Sequence, residues 1–433
     1  MKKILISLFC LFSILPVFAQ TVQTKLAAKF DARLADFGQF GFSPGENIFF
    51  AIDDGQKLTV WETKSRAQKY SLTGKFAGAN FSPDGEWLAV FSKKEITILT
   101  AESGKIQAKS GTYKDEIKFL GWNPNSKNFA VGTKNFTVDI LNVETGEIKN
   151  SAVIHEKKKG FFGRLNDDAD FIWIKATFTP DGSKILTVCQ DPTAEIWDVV
   201  TGKLIQTFTL KLEPPYQGAL PKLPGIYYAE ISSDGRWILI GSYDQNRLWE
   251  TETGKLVKEI SGYSHPSFSP DNRYLGMITD STSKERATAL FDLSTKEIKT
   301  ISAKYNGEMV AWSSDGNMFI TDRTTDEMNK NVAYIWDAET GKQKATLKTY
   351  SKGCLDFVST CLSDFDIFRF SPNSQILMSQ NKKQVRLLNS ENGNKILSLD
   401  GAISPAVWSS RGNFVLAKDV EKGKIGLWQV SAK

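Results

Sequence analysis

Residues 178–208 read FTPDGSKILTVCQDPTAEIWDVVTGKLIQTF, and the turns and strands that this stretch predicts recur along the whole chain. The phrase FTPDG at 178–182 ends a short strand with an apolar residue, presets a turn with proline and reverses the chain at Asp-Gly. Nine copies occur at intervals of 37 to 58 residues, a spacing typical of stacked supersecondary units. The clear copies start at Phe81, Phe178, Ile231 and Trp312, and the looser ones at Phe42, Trp122, Phe268, Phe370 and Trp408.

The rest of each unit predicts three more short strands. An apolar run follows the phrase, as at Trp87–Phe91 and Trp237–Gly241, and an alternating strand such as AEIWD at 194–198 comes next. A Thr-Gly-Lys turn at 201–203 then leads into a last alternating strand. Evenly spaced short strands with glycine-centred turns and no helical period predict an all-β array. Four antiparallel strands per unit are the composition of a β-propeller blade.

The two ends of the chain predict how the ring closes. The ninth unit, from Trp408 to Lys433, lacks its last strand, whereas TKLAAKF at 24–30 reads like a lone outer strand ahead of the first unit. Pairing the two ends would remove two exposed sheet edges. We therefore predict a single propeller of nine four-stranded blades, with the N-terminal strand completing the last blade. Eight blades, with one vestigial end unit, is the alternative.

The units resemble those of WD40-repeat proteins across essentially the whole chain that follows residue 19. The Trp-Asp pairs at 197–198 and 336–337, each followed by a Thr-Gly-Lys turn, carry the resemblance. The Gly-His pair of that family is missing, and the chain has two histidines, His155 and His265. The buried hydrogen-bond chain from histidine to the Trp-Asp strand, which the family pattern implies, therefore cannot operate here. Packing and turn chemistry must hold the blades instead.

The N-terminus predicts a secretory signal peptide. Lys2 and Lys3 precede an uncharged apolar run at 4–18, and Ala19 ends a short sequence suited to cleavage. The run is too short for an ordinary membrane span, and a retained anchor is the alternative. We expect a signal peptide at 1–19, a WD40-like propeller at 20–433, and a periplasmic or secreted mature chain without a transmembrane segment.

Composition and cysteine content predict neither a nucleic-acid partner nor a cofactor. Without Lys2 and Lys3 the chain has 52 basic and 49 acidic residues, which is too balanced for a strong field towards nucleic acid. Three cysteines and two distant histidines form no zinc-binding pattern. Cys354 and Cys361 flank a short loop and form either a disulfide or two buried thiols.

Long connections gather on one predicted face of the ring. In a blade, the connections between strands one and two and between strands three and four share a face, which we call the turn face. Connections between strands two and three and between blades share the other, which we call the insertion face. Insertions at 155–171, 212–226, 280–287, 322–332 and 350–366 all belong to the insertion face. Such gathering often marks the binding face of a repeat array, and loop drift at little cost in stability is the alternative.

These features favour an exported, non-catalytic and monomeric scaffold that binds a protein, peptide or polymer on the insertion face. Aromatic and arginine side chains make good anchors in interfaces. The candidate contacts are Phe161, Phe162, Arg164, Trp173, Pro215 and Tyr216.

The alternative is a propeller enzyme, a hydrolase or an oxidoreductase, that uses channel carboxylates and a metal. Asp191, Asp244 and Asp280 follow second strands near one rim. Acidic side chains from at least three blades converging in the channel would favour this alternative. The sequence contains no Gly-x-Ser-x-Gly nucleophile elbow and no Walker phosphate loop.

Overall fold

The computed structural model describes residues 22–432, except for 35–38, 55, 135–136, 154–174, 189–192, 211–225, 227, 243–244, 262–265, 280–286, 303–308, 325–330, 349–366 and 422. Thirty-six strands in this part of the chain form nine antiparallel sheets of four strands each. The nine sheets are the blades of one propeller ring, so the predicted fold and blade count are confirmed. No helix in the described part of the chain has the length and apolar character needed to cross a bilayer.

The strands follow one another through blades 1 to 8 in simple meanders, and blade 9 joins the two chain ends. The first strands of neighbouring blades approach one another, which places them at the channel and the fourth strands at the rim. Blades 1 to 4 contain β2–β5 (Phe40–Phe42, Ile48–Ile52, Leu58–Glu62, Gln68–Leu72), β6–β9 (Gly78–Phe81, Trp87–Phe91, Ile96–Thr100, Ile106–Lys109), β10–β13 (Ile117–Trp122, Asn128–Thr133, Thr137–Asn142, Ile148–Val153) and β14–β17 (Lys175–Phe178, Lys184–Val188, Thr193–Asp198, Leu204–Thr209).

The remaining blades have the same plan. Blades 5 to 8 contain β18–β21 (Tyr228–Ile231, Trp237–Gly241, Gln245–Glu250, Leu256–Ser261), β22–β25 (Ser267–Phe268, Tyr274–Thr279, Ala287–Asp292, Ile298–Ser302), β26–β29 (Met309–Trp312, Met318–Thr324, Asn331–Asp337, Gln343–Lys348) and β30–β33 (Ile367–Phe370, Ile376–Gln380, Val385–Asn389, Lys395–Leu399). Blade 9 contains β34–β36 (Ala402–Trp408, Phe414–Asp419, Lys424–Ala432) and takes β1 (Val22–Asp31) as its fourth strand.

The hydrophobic core lies between the blades rather than at one centre. Second strands are apolar on both faces, and every residue of β3, β19 and β31 is buried. Ile196 of blade 4, for example, packs in one cluster with Ile238 and Trp249 of blade 5. Each blade therefore covers the apolar face of its neighbour, and the array is stable only as a stack.

The N-terminal strand closes the ring as predicted. β1 pairs antiparallel with β36 along its length. Phe30 of β1 is buried and packs edge-on against Phe49 of blade 1, with ring centroids 5.0 Å apart. The Lys29 ammonium lies 3.1 Å from the carboxylate of Asp419, whose side chain is fully buried. Pairing, packing and charge thus all connect the N-terminal strand to the last blade.

A buried side chain organises each first-to-second-strand turn, and it is a serine or threonine in every blade except blade 3, which has Asn123. In blade 4, the Thr179 hydroxyl donates to Asp181 Oδ1 at 2.5 Å and accepts the Lys184 N–H at 3.1 Å. Hydrogen bonds from the Thr179 hydroxyl and the Ser183 N–H hold the pKa of Asp181 below its ordinary value. Gly182 has a φ of 70°, and a Cβ there would lie 2.2 Å from Asn123 Oδ1 of the preceding blade. In the repeated phrase, the serine or threonine thus bonds the aspartate and a backbone N–H, and the glycine allows the positive φ of the turn.

The aspartate of the Trp-Asp pair organises the third-to-fourth-strand turn. Asp198 Oδ1 accepts the Thr201 N–H at 2.7 Å and the Thr201 hydroxyl at 2.9 Å. These bonds hold the pKa of Asp198 below its ordinary value. The Trp197 indole donates to the Thr187 hydroxyl at 2.9 Å. Local turn bonds and one indole bond thus stand in place of the family's histidine chain, as the sequence predicts.

Candidate functional site

The insertion face carries all the long connections. Residues 154–174, 210–227 and 349–366 each join a fourth strand to the first strand of the next blade. Residues 280–286 and 325–330 each join a second strand to a third. The insertion predicted at 322–332 is shorter than expected, because residues 322–324 end β27 and residues 331–332 begin β28. Both ends of every one of these segments therefore lie on the insertion face. The candidate contacts and the cysteine pair lie outside the described residues; they are Phe161, Phe162, Arg164, Trp173, Pro215, Tyr216, Cys354 and Cys361.

The enzyme alternative depends on carboxylates and a metal ion at the channel. Among the described residues, no group of three or more His, Cys, Asp or Glu side chains is placed to hold a metal ion. The three carboxylates on which the enzyme alternative depends, Asp191, Asp244 and Asp280, lie outside the described residues.

The turn face is described at every first-to-second-strand turn, and several of these turns are hydrogen-bonded to the next blade. The Asp84 N–H of blade 2 donates to the Ser126 hydroxyl of blade 3, and the Asp315 N–H of blade 7 donates to Ser374 of blade 8, both at 3.1 Å. At the ring closure, Glu46 of blade 1 occupies the turn position that Ser126 and Ser374 occupy in blades 3 and 8. Its carboxylate accepts the backbone N–H of Arg411 in blade 9. The turns therefore close the ring a second time, at a carboxylate that sequence reasoning missed.

A second series of contacts runs around the rim of the turn face. Side chains of fourth strands reach the third-to-fourth-strand turn of the next blade. In one example, Asn150 Nδ2 of blade 3 donates to the Val199 carbonyl of blade 4 at 2.7 Å. The other contacts are Lys69 with Glu102, Gln107 with the Glu144 carbonyl, Lys299 with the Glu339 carbonyl and Lys344 with Glu391.

Among the described residues, these rim contacts join blades 1 to 4 and blades 6 to 8, and blade 8 makes none with blade 9. Blade 9 has no third-to-fourth-strand turn, because its third strand β36 and its fourth strand β1 come from opposite ends of the chain. The side chains of blade 8 therefore have no such turn to contact. The same closure that completes the ring interrupts its rim.

A cavity of about 1170 Å³ opens on the turn face at this interruption. It lies between the turn that joins β32 to β33 in blade 8 and the first turns of blades 7, 8, 9 and 1, beside the ends of β1 and β36. We call it the seam cavity. Eight of its lining side chains are carboxamides, namely Asn47, Asn373, Gln375, Asn389, Asn392, Asn394, Asn413 and Gln429.

Several oxygen acceptors in the seam cavity are used by the protein itself. Asn389 Oδ1 accepts the N–H groups of residues 391 and 392, and Asn392 Oδ1 accepts the Asn394 N–H. The buried Glu46 carboxylate accepts the Asn413 amide at 3.0 Å in addition to a backbone N–H. Glu391 is paired with Lys344. The side-chain acceptors of the Asn389–Asn392 turn and of Glu46 are therefore engaged, whereas the NH₂ groups of Asn389 and Asn392 have no acceptor among the described residues.

Sequence reasoning did not find this cavity, although two signals for it exist. The ninth unit lacks a last strand, so no turn can follow its third strand. The eighth unit reads NSENGN at 389–394, where units 4, 5 and 7 carry an acidic residue and Thr-Gly-Lys. Each signal is weak alone, because only the closed ring brings the two segments together.

No family model matches the chain. Individual known proteins similar to the chain include WD-repeat proteins, in agreement with the propeller fold. The COMPASS component SWD3 of Saccharomyces cerevisiae is 24% identical over 185 residues, which are 42% of this chain and 51% of that protein. The WD repeat-containing protein WDS homolog of Arabidopsis thaliana is 23% identical over 331 residues, which are 73% of this chain and 56% of that protein. The chain thus spans about half the length of these curated relatives.

A solved structure shows the fold at larger coverage. A crystal structure described as the eukaryotic initiation factor matches with a TM-score of 0.60 and 13% identity. The match covers 89% of this chain and 96% of that one. At this identity the likeness concerns the fold alone.

Proposed function

We propose that this chain, a WD40-type β-propeller, is an exported and non-catalytic scaffold that binds a protein, peptide or polymer on its insertion face. One observation carries the proposal: every long connection begins and ends on that face, whereas the turn face is built from short, hydrogen-bonded turns. Loops can lengthen and diversify there at little cost in stability. A rigid ring that presents variable loops is suited to recognition.

The similarity to WD-repeat proteins supports a binding role. SWD3, as its name states, is a component of COMPASS. For the present chain the proposed contacts are the aromatic and basic side chains of the first two long insertions, because such residues anchor interfaces. They are Phe161, Phe162, Arg164, Trp173, Pro215 and Tyr216.

Export is part of the proposal and is compatible with ring closure. Cleavage near Ala19 would leave β1 intact, because that strand begins at Val22. In an oxidising compartment Cys354 and Cys361 would form a disulfide within the last long insertion. Intact-mass measurement of the exported protein tests both points, since it reports the N-terminal residue and the two hydrogens lost in a disulfide.

The test of the binding face is capture of partners by immobilised mature protein, with quantification by mass spectrometry. We expect the triple substitution Phe161→Ala, Phe162→Ala and Tyr216→Ala to reduce the captured partner by about tenfold or more, with an unchanged thermal midpoint. A matched control replaces three exposed aliphatic side chains at the rim, Ile148, Leu204 and Ile205, and should leave capture unchanged. Equal capture by the wild type and the loop variant would refute this face assignment. Stoichiometric metal in native mass spectra would instead favour an enzyme.

A further inference from the structure

We propose that the seam cavity is a second binding site, on the face opposite the long insertions, and that it holds an extended acidic peptide segment. The site exists because ring closure removes a turn from blade 9. Its volume of about 1170 Å³ exceeds the range of roughly 300–1,000 Å³ that is typical of small-molecule pockets. A segment of a polymer therefore fits the opening better than a single small molecule.

The lining selects a ligand that is rich in acceptors. The side-chain oxygens of Asn389 and Asn392 accept N–H groups of their own turn. The NH₂ groups of the same two side chains have no acceptor in the described part of the chain. A carboxamide N–H pairs well with a peptide carbonyl or a carboxylate oxygen. Desolvating these donors without a partner would be unfavourable, so the ligand must supply acceptors at this position.

The cationic side chains of the cavity also favour an acidic ligand. Lys64 of blade 1, Lys395 of blade 8 and Arg411 of blade 9 line the opening, and all three residues are exposed. None of these three side chains forms an ion pair with another described residue. The three carboxylates of the lining, in contrast, are engaged within the protein. Glu46 and Asp315 accept N–H or hydroxyl donors, and Glu391 is paired with Lys344. Three cations from three blades therefore surround the space, and carboxylates are their natural partners.

A peptide fits this chemistry better than a polysaccharide. Sugar hydroxyls are donors as well as acceptors, so a glycan would need acceptor oxygens from the protein, and those of the Asn389–Asn392 turn are already engaged. An extended peptide presents carbonyls and acidic side chains as acceptors. Partly buried Val22, Ile396 and Phe414 in the same lining can contact its apolar groups.

The experiment measures fluorescence polarisation of a fluorescein-labelled (Asp-Ala)5 peptide with the mature chain, beside a neutral (Asn-Ala)5 peptide. We expect saturable binding of the acidic peptide alone. The double substitution Lys395→Gln and Arg411→Gln should raise its Kd about tenfold, and Asn394→Trp, which places a bulky ring in the opening, should abolish binding. Lys149→Gln, at an exposed lysine on the fourth strand of blade 3, is the matched control and should leave the Kd unchanged.

Three results would overturn the proposal. They are the absence of saturable peptide binding, binding that none of the cavity variants changes, and saturable binding of polygalacturonate in place of the peptide. The triple substitution in the insertion loops should leave the peptide Kd unchanged. Failure of this site is therefore distinguishable from failure of the proposed function on the other face.

Discussion

At the scale of single residues, the serine or threonine of the repeated phrase explains why the phrase recurs. Ser82 is fully buried, and its hydroxyl donates to Asp84 at 2.5 Å while it accepts the Trp87 N–H at 2.9 Å. The same pair of bonds occurs in blades 4 to 7. A buried N–H without a partner is costly, so this hydroxyl is a structural requirement of the turn.

Replacing this hydroxyl should destabilise the ring. Ser82→Ala removes the acceptor of the partly buried Trp87 N–H and one of the two donors to Asp84 Oδ1, and we expect a loss of about 1–3 kcal/mol in the free energy of unfolding. Urea unfolding measures the loss. Ser82→Thr is the control and should be nearly neutral, because Thr179 makes the same bonds in blade 4. Equal stability of the alanine variant and the wild type would contradict this role of the hydroxyl.

At the scale of elements, the turns add a dependence on pH. The pKa of Asp181 is lowered by hydrogen bonds from the Thr179 hydroxyl and the Ser183 N–H. A depressed pKa contributes stability that is fully present above the ordinary value of about 3.9 and is lost as the pH falls through the lower, folded value. Asn373 accepts the equivalent bonds in blade 8, so an amide can serve in this position.

Asp181→Asn should therefore remove one acid-sensitive contribution while keeping the turn. We expect a thermal midpoint slightly below that of the wild type at pH 7, and a difference between the two proteins that shrinks below pH 4. Calorimetric scans between pH 7 and pH 3 measure this difference. A constant or growing difference on acidification would show that the carboxylate is not stabilised by the turn.

Most strands were predictable because their signals are local. The apolar runs at Trp87–Phe91 and Trp237–Gly241 coincide with β7 and β19, and the predicted strand at 24–30 lies within β1 at Val22–Asp31. Glu46 and the seam cavity were not predictable in this way. Glu46 acts on a turn that is distant in sequence, at Arg411, and the cavity exists only where two chain ends meet.

At the scale of the whole molecule, one strand decides whether a stack of blades becomes a ring. β1 covers the edge of β36, buries Phe30 against blade 1 and brings Lys29 to the buried Asp419. Without it, blade 9 would keep an open edge and the boundary with blade 1 would lose its apolar cover. Both proposed binding surfaces depend on this closure, because the ring contains the strands that flank the long insertions and the seam cavity lies at the junction.

The measurement that tests ring closure most directly is the thermal midpoint of a mature chain that lacks residues 22–31. Loss of Phe30 burial, of one full strand pairing and of the Lys29 ion pair should lower the midpoint by about 10 °C or more relative to the chain that begins at Gln20. A synthetic peptide with the sequence of residues 20–34, added in excess, should restore part of the loss. A midpoint that does not change on deletion would contradict closure of the ring by the N-terminal strand.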